Sequence, residues 1–171
     1  MFANLSENAT VKNLIIKDSY VSGLGGVGGV CGYSYGTIAN CGFNGAVSGY
    51  NHVGGVCGIL NSGTIQNCYS TGTVGGSSTS VGGVCGQTQG TSANISNCYF
   101  DSSKCDKNAV GVTNNGTVEK TESKTTEQFA SGEVCYLLHD SKSENPVWYQ
   151  RLNTDTYPNL DNMDSENRTV Y

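Results

Sequence analysis

The hexapeptide VGGVCG occupies residues 27–32, and it returns unchanged at residues 53–58 and 81–86. Successive copies begin 26 and 28 residues apart, a spacing typical of proteins built from stacked structural repeats. An Asn-Cys pair follows each copy, at Asn40-Cys41, Asn67-Cys68 and Asn97-Cys98. The constant order of these two markers indicates that each unit is one structural turn, which buries against its neighbours a face that it cannot bury alone.

A degenerate half-unit precedes the first hexapeptide. Residues 11–14 align with residues 65–68 of the middle repeat, so that Asn13 stands opposite Asn67. We therefore predict a repeat domain over residues 1–105, with units that begin near residues 9, 27, 53 and 81.

The aligned repeats place similar residues in columns. The segments between the glycines are short and β-branched, and they lack the apolar spacing of a helix, so they are typical of strands. Strands stacked in register form parallel ladders about 4.8 Å apart. The fold predicted is mainly β, a parallel β-solenoid (β-helix) of about 3.5 coils, in which VGGVCG forms one wall and glycines turn the corners. The columns are Val11/Ile38/Ile65/Ile95, Leu14/Cys41/Cys68/Cys98, Val27/Val53/Val81 and Val30/Val56/Val84.

Asparagine forms a further column, made of Asn13, Asn40, Asn67 and Asn97. Stacked Asn side chains hydrogen-bond to their copies on the next strand in cross-β arrays. We therefore expect an amide ladder along the solenoid.

Charge is distributed unevenly along the chain. From Ser19 to Phe100 there is no Asp, Glu, Lys or Arg, and 21 of the 24 glycines lie in that stretch. A flexible Gly/Ser linker is the alternative for such a composition, but linkers do not keep Val, Ile and Cys in fixed register. The net charge of −5 and the lack of a basic patch argue against nucleic acid as a partner.

Neither end of the chain looks like the end of a natural protein. The start has no basic segment followed by an apolar run, as a signal peptide would, and no stretch approaches 18 apolar residues. We expect no membrane insertion in this chain, and we expect it to be part of a larger exported protein whose other domains are its partners.

The eight cysteines require a redox interpretation. Six lie in the stacked columns, where neighbouring Cβ atoms point the same way about 4.8 Å apart, farther than the roughly 3.8 Å that a disulfide prefers. We interpret these six as small buried packing residues. Cys105 and Cys135 are the remaining pair and the candidates for a bridge. Zinc is disfavoured because no C-x2-C spacing occurs and the chain has two histidines.

Residues 106–171 have an ordinary globular composition and are predicted to form a small C-terminal α/β cap. Thr125 and Gln128 have the spacing of a capping box, which predicts one helix over about 126–139, stopped by Pro146. The sequence PVWYQRL that follows predicts a strand. We interpret this region as a cap that covers the open strand edge of the last coil, with a separate ligand-binding domain as the alternative.

The pattern V-G-G-V-x-G, a short loop and G-T-I-x-N-C-Y-S-T-G-T-V resembles the GLUG repeat of bacterial surface proteins. That family includes large adhesins and the non-catalytic part of some immunoglobulin-A-cleaving metalloproteases. Residues 53–74 are the best match, whereas the first repeat has Gly42 in place of an aromatic residue. The resemblance implies a right-handed β-helix, an extracellular or cell-surface location, and no single ligand.

Enzymatic activity is not expected from this sequence. Glycoside hydrolysis needs two carboxyl groups about 5 to 9.5 Å apart, and calcium sites also need carboxylates, which the uncharged coils lack. A Cys-His dyad of His52 and Cys57 would have no third residue to orient it. We expect no catalytic residue, no metal ion and no cofactor.

Two functions remain open. The first is a structural and adhesive repeat module of a bacterial secreted or cell-surface protein, which presents a neutral, rigid surface to host or environmental glycans or to surface proteins. The second is a carbohydrate-binding module of an exported enzyme. Aromatic rings with polar tips can stack on sugars, and the candidate ligand contacts are Tyr33, Tyr35, Tyr50 and His52. The alternative for these four residues is that they cover hydrophobic corners of the coil.

Overall fold

A computed structural model describes residues 1–139 and 147–160. It contains fifteen strands and two short helices in these residues. The strands of the first half are β1 (Phe2–Leu5), β2 (Thr10–Gly28), β3 (Cys31–Ser34), β4 (Thr37–Gly54), β5 (Cys57–Leu60), β6 (Gly63–Gln66), β7 (Tyr69–Ser70) and β8 (Thr73–Gly76). The remaining elements are β9 (Val81–Gly82), β10 (Cys85–Thr88), β11 (Ala93–Asp101), β12 (Val110–Thr113), β13 (Thr117–Lys124), α1 (Thr126–Ala130), α2 (Glu133–Leu138), β14 (Trp148–Tyr149) and β15 (Asn159–Leu160).

Two parallel sheets form the walls of a β-solenoid, as predicted. One sheet has the order β1-β3-β5-β10-β12, and the other follows β2-β4-β6-β11-β13, with β7, β8 and β9 alongside β4. Each coil takes one strand from the first sheet and then runs through the second. Five coils result, which we number 1 to 5: residues 2–28, 31–54, 57–82, 85–101 and 110–124.

The solenoid is longer than the sequence predicted. β12 pairs in parallel with β10, and β13 pairs in parallel with β11. Coil 5 therefore extends the stack to Lys124, and both the boundary at residue 105 and the count of about 3.5 coils are wrong. The prediction missed this coil because it lacks the VGGVCG and Asn-Cys markers, although Gly116-Thr117-Val118 repeats the Gly-Thr-Ile that opens the second wall of coil 3.

The predicted columns form the solenoid core. Ile38 pairs with Val11 on one side and with Ile65 on the other, and Ile65 pairs with Ile95. Cys57 pairs likewise with Cys31 and Cys85. These side chains are buried between the two sheets, so the repeat in the sequence is the repeat of the core.

The hexapeptide forms a corner of the coil rather than the wall that we predicted. β2 ends at Gly28 and β3 begins at Cys31, so the chain changes sheet within VGGVCG. Val30 and Val56 lie at this corner, outside the strands, and the amide of Val30 donates to the carbonyl of Val56 at 2.9 Å. A side chain at Gly54 would collide with the carbonyl oxygen of Cys57. The motif therefore repeats because neighbouring corners stack with their backbones in close approach.

The asparagine column is a second corner. Asn13, Asn40, Asn67 and Asn97 all have φ between 51° and 55°, in the left-handed region that Asn tolerates better than most residues. The amide of Asn40 donates to Asn13 Oδ1 at 3.0 Å, and that of Asn97 donates to Asn67 Oδ1 at 2.8 Å. Two of the three predicted ladder bonds are therefore present, and within the residues that the structure describes none joins Asn40 to Asn67. The backbone conformation that selects asparagine was not predicted.

The C-terminal residues pack along the side of the solenoid instead of covering its last coil. We call residues 125–139 and 147–160 the strap. Its aromatic side chains form a cluster with Tyr69 and Tyr99 of coils 3 and 4, and β15 contacts β2 of coil 1. The strap therefore spans the stack from coil 4 back to coil 1.

The predicted helix is interrupted. The capping box of Thr125 and Gln128 is present at the start of α1, but Gly132 has a φ of 86° and separates α1 from α2. β14 pairs with β15 in an antiparallel hairpin, which confirms a strand at Trp148. Pro146, the predicted stop, lies outside the described residues.

All eight cysteines are free and buried. Cys105 packs in the solenoid core and Cys135 packs in the strap cluster, so the bridge considered for this pair is not formed. The thiols in the columns donate to nearby carbonyl oxygens, as Cys57 Sγ does to Ile59 O at 3.3 Å. The interpretation of the column cysteines as packing residues agrees with this arrangement.

Candidate functional site

The four sequence-predicted contact residues do not form one cluster. Tyr33 lies in β3, Tyr35 follows that strand, and Tyr50 and His52 lie near the end of β4. In the described part of the chain, no hydrogen bond or ring contact joins any two of these side chains. Tyr50 is 61% exposed and Tyr35 is 42% exposed.

Tyr33 and His52 lie beside corners of the coil. The ring of Tyr33 lies against Gly26, whose φ is 63°, and a side chain at that glycine would overlap the ring. His52 has a φ of 53° and is half-buried, and its Nδ1 is buried with no hydrogen-bond partner among the described residues. For Tyr33 the structure favours the alternative that it covers a corner of the coil.

A cleft of about 420 Å³ lies between the strap and the side of coils 1 to 3. We call it the strap cleft. Its walls are polar side chains and tyrosine rings, and those that matter for binding are Asp18, Asn44, Tyr149, Arg151, Thr156 and Tyr157. Asp18 and Asn44 belong to the solenoid and the others to the strap, so the strap's packing against the solenoid creates the cleft.

Hydrogen bonds fix the strap at the base of this cleft. Tyr69 Oη donates to Pro158 O at 2.7 Å, and Lys17 Nζ donates to Asn159 Oδ1 at 3.0 Å. Gly42, the residue that departs from the repeat pattern, leaves room for the Tyr69 ring, because a side chain there would overlap it. Burial raises the pKa of Tyr69 above its usual value, so its hydroxyl stays protonated as a donor.

An ion pair between Arg151 and Asp155 orders the strap side of the cleft. Arg151 Nε and Nη2 donate to the two oxygens of Asp155, each at 3.2 Å, and the Arg151 amide donates to the same carboxylate at 2.8 Å. Partial burial alone would raise the pKa of Asp155, but these bonds and the positive charge hold that pKa below its usual range. Arg151 and Asp155 therefore face the cleft as a neutral unit.

Asp18 faces the cleft from an irregularity in β2. Lys17 pairs with Asn44 and Ser19 pairs with Gly45, so Asp18 is one extra residue in coil 1. Its φ is 49°, and it is exposed. Bulges of this kind redirect a side chain, and they are enriched beside binding and catalytic sites. The sequence carries a signal for this bulge, because Val21 lies seven positions after Leu14 whereas Val47 lies six positions after Cys41.

A second, smaller cavity of about 240 Å³ lies within the strap, lined by residues that include Cys135 and Trp148. Burial raises the pKa of Cys135 to about 12. This thiol is therefore protonated at neutral pH and is a weak nucleophile there.

The described residues have no grouping of three or more His, Cys, Asp and Glu side chains placed to bind a metal ion. Neither α1 nor α2, at five and six residues, approaches the length of a membrane span.

Comparison with known proteins identifies the repeats. Residues 49–75 and 77–103 match the model of the GLUG motif. Both matched segments lie in the solenoid, so the strap falls outside them. No curated protein sequence matches the chain.

One solved structure shares the fold. It is the crystal structure of a protein from Bacteroides ovatus proposed to be an immunoglobulin A1 protease, which aligns with a TM-score of 0.63 and 17% sequence identity. The alignment covers 93% of this chain and 73% of the other. Since it covers nearly the whole chain, the solenoid and the strap belong to one shared architecture.

Proposed function

We propose that this chain is a structural and adhesive repeat module of a bacterial secreted or cell-surface protein. The observation that carries the proposal is the continuous stack of five in-register coils, whose central part has no charged residue from Ser19 to Phe100. Parallel ladders that join every coil to the next make such a stack stiff. A stiff, neutral surface suits a module that spaces or presents contacts outside the cell.

The central coils also offer hydrogen-bonding groups without charge. Their exposed side chains are mainly Ser, Thr, Asn, Gln and Tyr, which can bond to glycans or to neutral protein surfaces. Single contacts of this kind are weak, and many modules on one surface would add their effects. The proposal assigns the chain no catalytic step.

Bead adhesion under flow tests this proposal. Beads coated with the full chain at several densities are passed over mucin-coated and epithelial-cell surfaces, and beads coated with serum albumin at equal density are the control. We expect retention that rises more steeply than coating density, because attachment is multivalent. Retention no greater than that of the albumin beads on both surfaces would contradict an adhesive role.

A carbohydrate-binding module of an exported enzyme is the second candidate, and the strap cleft favours it. A concave polar site with tyrosine rings is a more usual place for a sugar than the side of a solenoid. Sedimentation with insoluble polysaccharides distinguishes the candidates, because a module of this kind should partition with one polysaccharide class rather than adhere broadly.

A further inference from the structure

We propose that the strap cleft is a saccharide-binding site for a neutral, hydroxyl-rich ligand, with the Asp18 carboxylate as its main hydrogen-bond acceptor. This inference rests on the proposed exported, surface-binding function for its biological context. It also moves the glycan contact away from Tyr33, Tyr35, Tyr50 and His52. The cleft volume of about 420 Å³ lies within the range of small-molecule sites.

The Asp18 carboxylate is available to bind a ligand. In the described part of the chain, no hydrogen bond or ion pair engages it, although it lines the cleft beside Lys17. The bulge holds it in a left-handed conformation at φ 49°, which costs a non-glycine residue free energy. The inserted residue therefore presents an acceptor with unused hydrogen-bonding capacity at the cleft.

Further unused hydrogen-bonding groups lie around the same space. Asn44 donates through Nδ2 to Thr71 Oγ1 at 3.1 Å, which leaves its Oδ1 as an acceptor. The hydroxyls of Thr154 and Thr156 line the strap side, and each can donate and accept. A sugar hydroxyl can likewise do both, so it matches a mixed set of acceptors and hydroxyls.

The charge balance of the cleft selects a neutral ligand. Arg151 and Asp155 neutralise each other through their paired bonds, and the Lys17 ammonium is bonded to Asn159 beside the charge of Asp18. An anionic ligand would have to break the bidentate ion pair or approach Asp18. A cation would be attracted to the Asp18 carboxylate, but the nearby Lys17 ammonium would repel it.

Two tyrosines provide the apolar part of the site. Tyr149 and Tyr157 are half-buried and line the cleft. Tyr157 is ordered by an edge contact to Phe129, with ring centroids 5.6 Å apart, and Tyr149 by its place in the β14–β15 hairpin. Preordered rings lower the entropy cost of binding, and the C–H face of a sugar packs on such rings.

The test uses an array of neutral oligosaccharides of glucose, galactose, mannose, xylose and N-acetylhexosamines, probed with the full chain. The best-binding oligosaccharide is then titrated calorimetrically into wild type and three variants. Asp18→Gly removes the carboxylate at a position where glycine tolerates the backbone, and Thr156→Ala removes one hydroxyl. Tyr50→Ala tests the competing contact predicted from the sequence, since it removes an exposed ring that does not line the cleft. Thermal unfolding confirms that each variant is folded.

We expect Asp18→Gly to weaken binding at least tenfold and Thr156→Ala about threefold, with Tyr50→Ala unchanged. Equal affinities of wild type and Asp18→Gly would overturn the proposal, as would a loss confined to Tyr50→Ala. Absence of binding to every neutral oligosaccharide would also overturn it. Bead retention that persists in that last case would leave the adhesive function standing, so the two failures can be told apart.

Discussion

At the residue scale, small residues and asparagines make the stack of coils sterically feasible. Glycines of the hexapeptide sit where neighbouring backbones approach too closely for a Cβ atom. Asparagines occupy the left-handed corner, where Asn40 bonds to Asn13 and Asn97 bonds to Asn67 on the adjacent coil. The sequence showed these positions as repeats, but it could not show that the hexapeptide turns a corner, because both a wall and a corner repeat with the same period.

Gly54→Ala should strongly destabilise the chain. The new methyl group would overlap the carbonyl oxygen of Cys57, and the approaching backbone of coil 4 prevents relief of the overlap. We expect a loss of about 3 kcal/mol or more in the free energy of unfolding. Gly75→Ala is the matched control: the nearest atom to its new Cβ lies at 3.9 Å, so stability should change by less than about 1 kcal/mol. Urea unfolding followed by circular dichroism measures both, and equal losses would contradict the close-approach argument.

The buried thiol of Cys135 should make stability fall at alkaline pH. Burial raises its pKa from 9.0 to about 12, so the unfolded chain loses this proton before the folded chain does. The raised pKa adds to the free energy of unfolding, and this added stability is fully present below pH 9. It is lost as pH rises towards 12, at up to about 1.4 kcal/mol per pH unit. Urea unfolding of wild type and Cys135→Ala between pH 8 and pH 11 measures the difference. The variant should be less stable at pH 8 but should lose stability less steeply, and identical slopes would contradict the assignment.

At the element scale, the strap shows where sequence reasoning succeeded and where it failed. Local signals were sufficient for the capping box at Thr125 and for the strand at Trp148. The break at Gly132 was visible in the sequence but was outweighed by the apolar spacing around it. Where the strap docks depends on contacts between residues far apart in the chain, such as Tyr69 with Pro158, and no local pattern encodes them.

Phe129→Ala should loosen the strap while the solenoid stays folded. The Phe129 ring is buried against Tyr69, with centroids 6.1 Å apart, and removing a buried ring costs about 3–5 kcal/mol. The chain has a single tryptophan, Trp148, which is 1% exposed, so its fluorescence reports on the strap. We expect a red-shifted emission at lower urea than in wild type, with the β signal in circular dichroism retained. The control Tyr136→Ala removes an exposed ring of α2 and should leave both signals unchanged. If Phe129→Ala loses both signals at the same urea concentration, the strap and the solenoid unfold together and the prediction is wrong.

At the scale of the whole molecule, both end strands of the stack carry charge. Coil 1 carries Lys12, Lys17 and Asp18 in β2, and coil 5 carries Glu119, Lys120, Glu122 and Lys124 in β13. The second wall of coils 2 and 3, between them, has no charge. An open strand edge can pair with another chain, and charged side chains on it prevent this. We therefore expect the charges of coil 5 to blunt this open edge, the role that we predicted for a cap.

Neutralising coil 5 should make the protein assemble end to end. In continued register, Val118 of one copy would meet Val11 of the next, since both belong to the column that runs through Ile38, Ile65 and Ile95. The variant Glu119→Gln/Lys120→Gln/Glu122→Gln removes charges that must otherwise be desolvated in such a contact.

Sedimentation velocity at several protein concentrations measures the assembly. We expect species larger than a monomer whose size grows with concentration, because a head-to-tail contact does not close. The control Asp106→Asn/Lys107→Gln/Glu127→Gln changes the net charge by the same amount at sites outside the strands, where Asp106 and Lys107 form an exposed ion pair. If control and test variants sediment alike, net charge rather than edge charge governs association, and the assignment of β13 as a blunted edge is wrong.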